Sequence, residues 1–216
     1  MMQQKKFFIS FLIFFALFFV TSFSYAYTAG DALTQILGNI QTIQTNFQQT
    51  IFDKNNRMLQ QSYGTMSMQR PGRFRWEITR PTQQLIIANG RRLWIYDRDL
   101  AQVTVKSLAK AAGEAPALLL TESVENLQSN FDVDAIQTND PSLQWFSLVP
   151  RNRGSLFSSL QLGFQNNQLR AMQMKDRLGQ TTMIRFQNMQ QNIALSSGLF
   201  VFNPHGKLDV IDETAR

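Results

Sequence analysis

The chain has no cysteine and one histidine in 216 residues. Without cysteine there is no disulfide framework, no thiol nucleophile and no cysteine metal site. The same absence excludes the lipid anchor that a bacterial lipoprotein carries on a cysteine just after its leader. The lone His205 sits in Asn203-Pro204-His205-Gly206. It cannot form a histidine pair for zinc, and no G-x-S-x-G elbow offers it a serine. No Walker loop and no G-x-G-x-x-G run is present. Asp97 with Asp99, and Asp132 with Asp134, are spaced to share a strand face. The first pair lies in Tyr96-Asp97-Arg98-Asp99-Leu100, which reads as a solvated turn. The groups that carry hydrolytic, redox or metal chemistry are missing or unpaired, so no enzyme and no cofactor is expected.

What is present begins with a leader. Lys5 and Lys6 precede an apolar run from Phe7 to Val20 that is broken only by Ser10. Ser24-Tyr25-Ala26 places small residues at both ends of a cleavage triplet, which predicts a signal peptide over 1–26. The apolar run, about 14 residues, is short of the roughly 18–20 of a spanning helix. Residues 27–216 then form a single exported domain. Its remaining basic residues are mostly Arg. Export makes nucleic acid an improbable partner for that charge, and many of the arginines sit inside strand patterns. They read as one face of a sheet, not as a polybasic tail.

One amphipathic helix is expected at the start of this domain. Asp31 reads as its N-cap, and Leu33, Ile36, Leu37, Ile40, Ile43 and Phe47 form its apolar stripe. The period then changes to two. Phe74, Trp76 and Ile78 alternate with Arg73, Arg75 and Glu77. Asn89-Gly90 separates Leu85–Ala88 from Leu93–Tyr96, which is a hairpin signal. Val103 and Val105 continue the meander. Between 106 and 128, alanines, Pro116 and Ala117-Leu118-Leu119-Leu120 predict one or two short covering helices. Strands resume at Phe131–Val133, Trp145–Val149 and Phe157–Phe164. Asn166-Asn167 marks a second hairpin turn before Leu169–Met174, and a turn at Leu178-Gly179 precedes Thr181–Phe186. Phe200–Phe202 and Val210-Ile211 read as closing strands. About ten or eleven short strands with regular turn signals predict a mainly β, α+β fold: an antiparallel barrel or strongly curved sheet with few helices over it. Such a sheet has a concave face with room for a cavity.

The sequence Arg70-Pro71-Gly72-Arg73-Phe74-Arg75-Trp76 is followed by Gln84–Gly90, Leu93–Asp97, Asp99–Val105 and Pro116–Leu119. With Met174–Phe186 and the closing Phe200-x-Phe202-x-Pro204-x-Gly206 and Asp209-Val210-Ile211, this order resembles the periplasmic outer-membrane lipoprotein carrier family, LolA. The resemblance covers essentially all of 27–216, and the first block is its most specific part. It implies a half-open antiparallel β-barrel of about 11 strands with a helical lid. It also implies a monomer in the periplasm that holds the acyl chains of lipoproteins. Such a carrier takes them from an inner-membrane ABC-type release complex and passes them to a lipid-anchored outer-membrane receptor. On the same resemblance Arg70 holds the lid through carbonyls around Ala117–Leu120. Phe74 and Trp76 line the cavity, with Phe47 and Leu37, and the lining extends to Trp94 and Leu118. Gly72-Arg73 and Arg75 depart from the family's pattern and would make the rim basic, suited to an acidic partner surface or phospholipid headgroups. A lipid-sensing half-barrel and a lipid-acting enzyme are the competing readings.

Overall fold

A computed structural model describes residues 28–108, 116–137, 142–203 and 206–214. The leader over 1–26, the alanines at 109–115 and His205 lie outside the described residues.

The chain opens with helix α1 (Ala29–Gly38). Thr28, not Asp31, is its N-cap. The Thr28 hydroxyl accepts from the Asp31 N–H, and the Asp31 carboxylate accepts from the Thr28 N–H at 3.0 Å, a reciprocal capping box. The apolar stripe is correct only as far as Leu37. Ile43 and Phe47 belong to strand β1 (Thr42–Phe52). The β-branched run through Thr42, Ile43 and Thr45 favours extended backbone. A period of two also places Ile43, Thr45 and Phe47 on one face, so the helical spacing was ambiguous there.

Ten more strands follow as two meanders, β2 (Met58–Gln69), β3 (Arg73–Arg80), β4 (Gln84–Asn89), β5 (Arg92–Asp97) and β6 (Gln102–Ser107), then, after a crossover to the opposite edge, β7 (Phe131–Ile136), β8 (Gln144–Pro150), β9 (Phe157–Gln165), β10 (Gln168–Asp176) and β11 (Thr181–Gln191). A short β12 (Asp209–Asp212) ends the series. All twelve lie in one open sheet of order β12-β6-β5-β4-β3-β2-β1-β11-β10-β9-β8-β7. Every pairing is antiparallel except β12 with β6. Both predicted hairpins are present. Asn166 and Asn167 each take a positive φ, the backbone that a two-residue turn between twisted strands requires. Phe200–Phe202 is not a strand. Ser197–Phe200 is a 3₁₀ turn, and the chain then runs extended to Asn203. Gly198 and the Ser196 hydroxyl, which accepts from the Gly198 N–H, favour the turn over continued pairing.

The sheet curves around one apolar cluster. Met66, Met68, Phe74, Trp76, Ile86, Ala88 and Leu93 supply it from one half, and Phe146, Leu148, Leu160, Leu162, Phe164, Met172, Ile184 and Phe186 from the other. Three short elements close its open side. These are α1, the 3₁₀ segment Pro116–Thr121, and α2 (Val124–Asn130), whose cap is Ser123. Leu33, Ile36 and Leu37 of α1, and Ala117–Leu120 of the 3₁₀ segment, are all buried there. Gln128 of α2 donates to the Thr34 hydroxyl of α1 at 2.6 Å, joining the two helices.

A second apolar layer lies on the outer face. Leu85, Ile87, Val103 and Val105 are buried although they point away from the main cluster. Phe202 covers this face, 6.0 Å from the Trp94 ring and edge-on to Tyr96 at 5.7 Å. The unbroken run Leu85-Ile86-Ile87-Ala88 is the sequence trace of a strand buried on both sides.

Candidate functional site

Arg70 stands where β2 turns into β3, directly after the last strand residue. Its N–H bonds the Gln41 carbonyl at 3.0 Å, which anchors the main chain to the link after α1. The side chain enters the gap between two covering elements. Nε donates to the Leu120 carbonyl at 2.9 Å and Nη1 to the Leu37 carbonyl at 2.8 Å. Leu37 lies in the last turn of α1, where helix carbonyls carry partial negative charge, and its oxygen also accepts the Ile40 N–H at 3.0 Å. One guanidinium therefore ties α1, the 3₁₀ segment and the sheet together. Its planar fork can serve two carbonyls at once, which a lysine cannot do with fixed geometry. Nη2 is buried and has no hydrogen-bond partner among the described residues. Burial lowers the Arg70 pKa from its ordinary value, and the Glu125 carboxylate opposes that shift. The Gly72 N–H adds a bond to the Thr121 carbonyl at 3.3 Å. Gly72 has φ +67°, and a Cβ there would stand 3.0 Å from Gly90 Cα, so this turn packs directly on the next one.

Beneath the latch lies an aromatic stack. The rings of Phe47 and Trp76 are 3.6 Å apart and nearly parallel, and Phe74 follows at 6.2 Å from Trp76. All three are buried, as are Leu37 and Leu118. The concave face is thus filled by its own side chains and roofed by the covering elements. An apolar ligand could enter only by moving that roof.

Six of the seven residues expected at a site therefore converge: Arg70 at the roof, Leu37 and Leu118 in it, and Phe47, Phe74 and Trp76 below. Trp94 does not join them. It is on the outer face against Phe202, and its neighbours Leu93 and Ile95 point inward instead. The alternation Leu93-Trp94-Ile95-Tyr96 is apolar throughout, so residue type could not tell the two faces apart. Arg75 also faces outward. It pairs with Glu77 at 2.7 Å, and the same carboxylate pairs with Arg98 at 2.8 Å, so the three groups share one anion between two cations on the outer face. The carboxylates at 97 and 132 have structural partners. Asp97 accepts the N–H groups of Asp99 and Leu100, and Asp132 pairs with Arg151 at 3.0 Å. The Leu120 acceptor falls within the stretch Ala117–Leu120 that the resemblance implied; sequence reasoning missed the Leu37 carbonyl and Gly64, because backbone acceptors and close approaches leave little mark on residue type.

Fold and site together define an open half-barrel whose apolar concave face is covered by short elements hydrogen-bonded to a buried arginine. The family model for the outer membrane lipoprotein carrier protein LolA matches residues 38–203. An outer-membrane lipoprotein carrier protein of Dechloromonas aromatica is 39% identical over 186 residues, covering 86% of this chain and 88% of that one. Its counterpart in Coxiella burnetii is 41% identical over 186 residues, covering 86% and 87%. A crystal structure of an uncharacterized conserved protein from Thermus thermophilus shares the fold, with TM-score 0.53 and 13% identity over 84% of this chain and 99% of that one. The chain belongs to the LolA family, a family of carriers and not of enzymes.

Proposed function

We propose that this protein is a periplasmic carrier of outer-membrane lipoproteins, which shields their acyl chains against its concave apolar face. On this reading it accepts them from an ABC-type release complex in the inner membrane and delivers them to a lipid-anchored receptor on the outer membrane. The observation that carries the reading is the Arg70 fork between the Leu120 and Leu37 carbonyls, above a buried aromatic stack.

The physical need is plain. Each acyl methylene left in water costs about 0.8 kcal/mol, so a multiply acylated protein cannot cross an aqueous gap bare. A sleeve that held the chains too well would never release them. The latch answers this. Opening α1 and the 3₁₀ segment breaks two charge-assisted hydrogen bonds and exposes the apolar groups beneath. The empty state is therefore preferred, and cargo is held only until a better acceptor takes it. Phe47, Phe74, Trp76, Leu37 and Leu118 are the surfaces that exchange their mutual contacts for acyl chains.

The test is release from spheroplasts. The purified protein should bring membrane-bound lipoproteins into the soluble fraction as a one-to-one complex. Absence of any released complex, with the release machinery active, would overturn the carrier reading and leave a lipid-sensing half-barrel. Arg70→Leu should still pick up lipoprotein but pass it on at least tenfold more slowly, because closure no longer drives release. Normal transfer by that variant would remove Arg70 from the mechanism while leaving the carrier intact.

A further inference from the structure

The turns of the sheet sort into two ends. Arg70–Gly72, Asn89–Arg91 and Asn166-Asn167 lie at the latch end, whereas the β1–β2, β8–β9 and β10–β11 loops lie at the other. The three far-end loops adjoin one another. A Cβ on Gly179 would stand 3.1 Å from the Cβ of Lys54. Arg177 Nε donates to the Ser155 carbonyl, and the β8–β9 and β10–β11 loops share one cleft.

These tips combine exposed leucine and methionine with basic residues. Leu178 is 81% exposed, Leu156 69%, Met58 61% and Leu59 55%. Arg177 precedes Leu178, Arg153 lies just before Leu156, and Lys54 and Arg57 precede Met58. The acids of these three loops are engaged locally, Asp132 beside the β8–β9 loop pairs with Arg151, and Asp97 and Asp99 lie in the β5–β6 turn at the same end, where Asp97 accepts two N–H groups. Asp53 pairs with Arg57 at 2.7 Å, and Asp176 accepts the N–H groups of Leu178 and Gln180. The outward-facing balance is apolar and positive.

We propose that this end of the sheet is a contact surface for anionic phospholipid bilayers. The adjoining hairpin tips each carry one or two exposed apolar side chains. They are well shaped to enter between headgroups while neighbouring cations reach the phosphates. The contact is weak and electrostatic, so it concentrates the protein at a membrane without anchoring it. It leaves the latch end, with Arg70, turned away from the bilayer. The inference does not depend on the carrier reading, since no acyl cargo takes part in it.

The test is co-sedimentation of the cargo-free protein with vesicles of phosphatidylcholine alone, and with vesicles in which about a third of the lipid is phosphatidylglycerol. Binding should appear only with the anionic vesicles and fall away in high salt. Replacing Lys54 and Arg153 together by Gln should weaken it about 25-fold, at roughly fivefold per charge. Leu156→Ser combined with Leu178→Ser should weaken it at least tenfold, with unchanged thermal unfolding because both side chains are exposed. Failure to sediment with anionic vesicles at low salt would overturn the proposal. So would variants that sediment like the parent, or binding by these loops to an acidic peptide in place of lipid.

Discussion

At residue scale, Gly64 shows how closely the interior is built. It lies opposite Phe47 in the β1–β2 pairing. A Cβ on it would stand 1.9 Å from the Glu77 carbonyl oxygen and 2.7 Å from the tip of the Phe47 ring. The missing side chain is the slot through which Phe47 reaches Trp76. Gly64→Ala should therefore destabilise the fold by about 3 kcal/mol, measured by urea unfolding, because backbone must move and not only a side chain. A loss below about 1 kcal/mol would mean that the strand can shift freely at this point. Arg70 is the opposite case. It is buried with one nitrogen unpartnered among the described residues, so its charge is costly to hold. Its value lies in connecting two elements, and replacing it should alter release far more than overall stability.

The covering elements are short, and bonds at their termini hold them in place. Helix α1 spans 10 residues, marginal for a helix on its own. The capping box at Thr28 and Asp31 and the Arg70 bond at its far end hold it in place. The Thr28 hydroxyl and N–H hold the Asp31 carboxyl below its usual pKa. A depressed folded pKa means that the charged carboxylate is favoured in the folded state. Its contribution is fully present above the unfolded aspartate value of about 3.9 and is lost as pH falls through the lower folded value. Amide exchange in the first turn of α1 should therefore speed up in that acid window, relative to intrinsic rates, and Asp31→Asn should show no such step. A parent profile identical to that of Asp31→Asn would remove the carboxylate from helix capping.

At the scale of the whole molecule, one sheet carries two apolar layers. The concave layer is roofed by helices that a single arginine latches. The outer layer is covered by the stretch Ser197–Asn203, which also links β11 to the parallel edge strand β12. Phe202 is the anchor of that cover, against Trp94 and Tyr96. Phe202→Ala should cost about 2 kcal/mol and shift tryptophan fluorescence to the red as Trp94 meets water. An unchanged spectrum would place the cover elsewhere.

By itself the sequence determined most of the strands and their turns, though not β1, and it placed one strand too many at Phe200–Phe202. Alternation, Asn-Gly and Asn-Asn are local signals, read from neighbours along the chain. The buried role of Phe74 and Trp76 followed from the same alternation, and the family from the motif order around Arg70. The tertiary structure alone decided where α1 stops, because Ile43 and Phe47 satisfy both periods and only pairing with β2 and β11 selects the strand. It alone put Trp94 outside, since a strand buried on both faces has no polar side to mark its orientation. It alone brought the Leu37 carbonyl, 33 residues away, to Arg70, and it singled out Leu120, 50 residues away, within the stretch that the resemblance implied. Those partners are backbone carbonyls, which every residue possesses, so only the folded chain can select them.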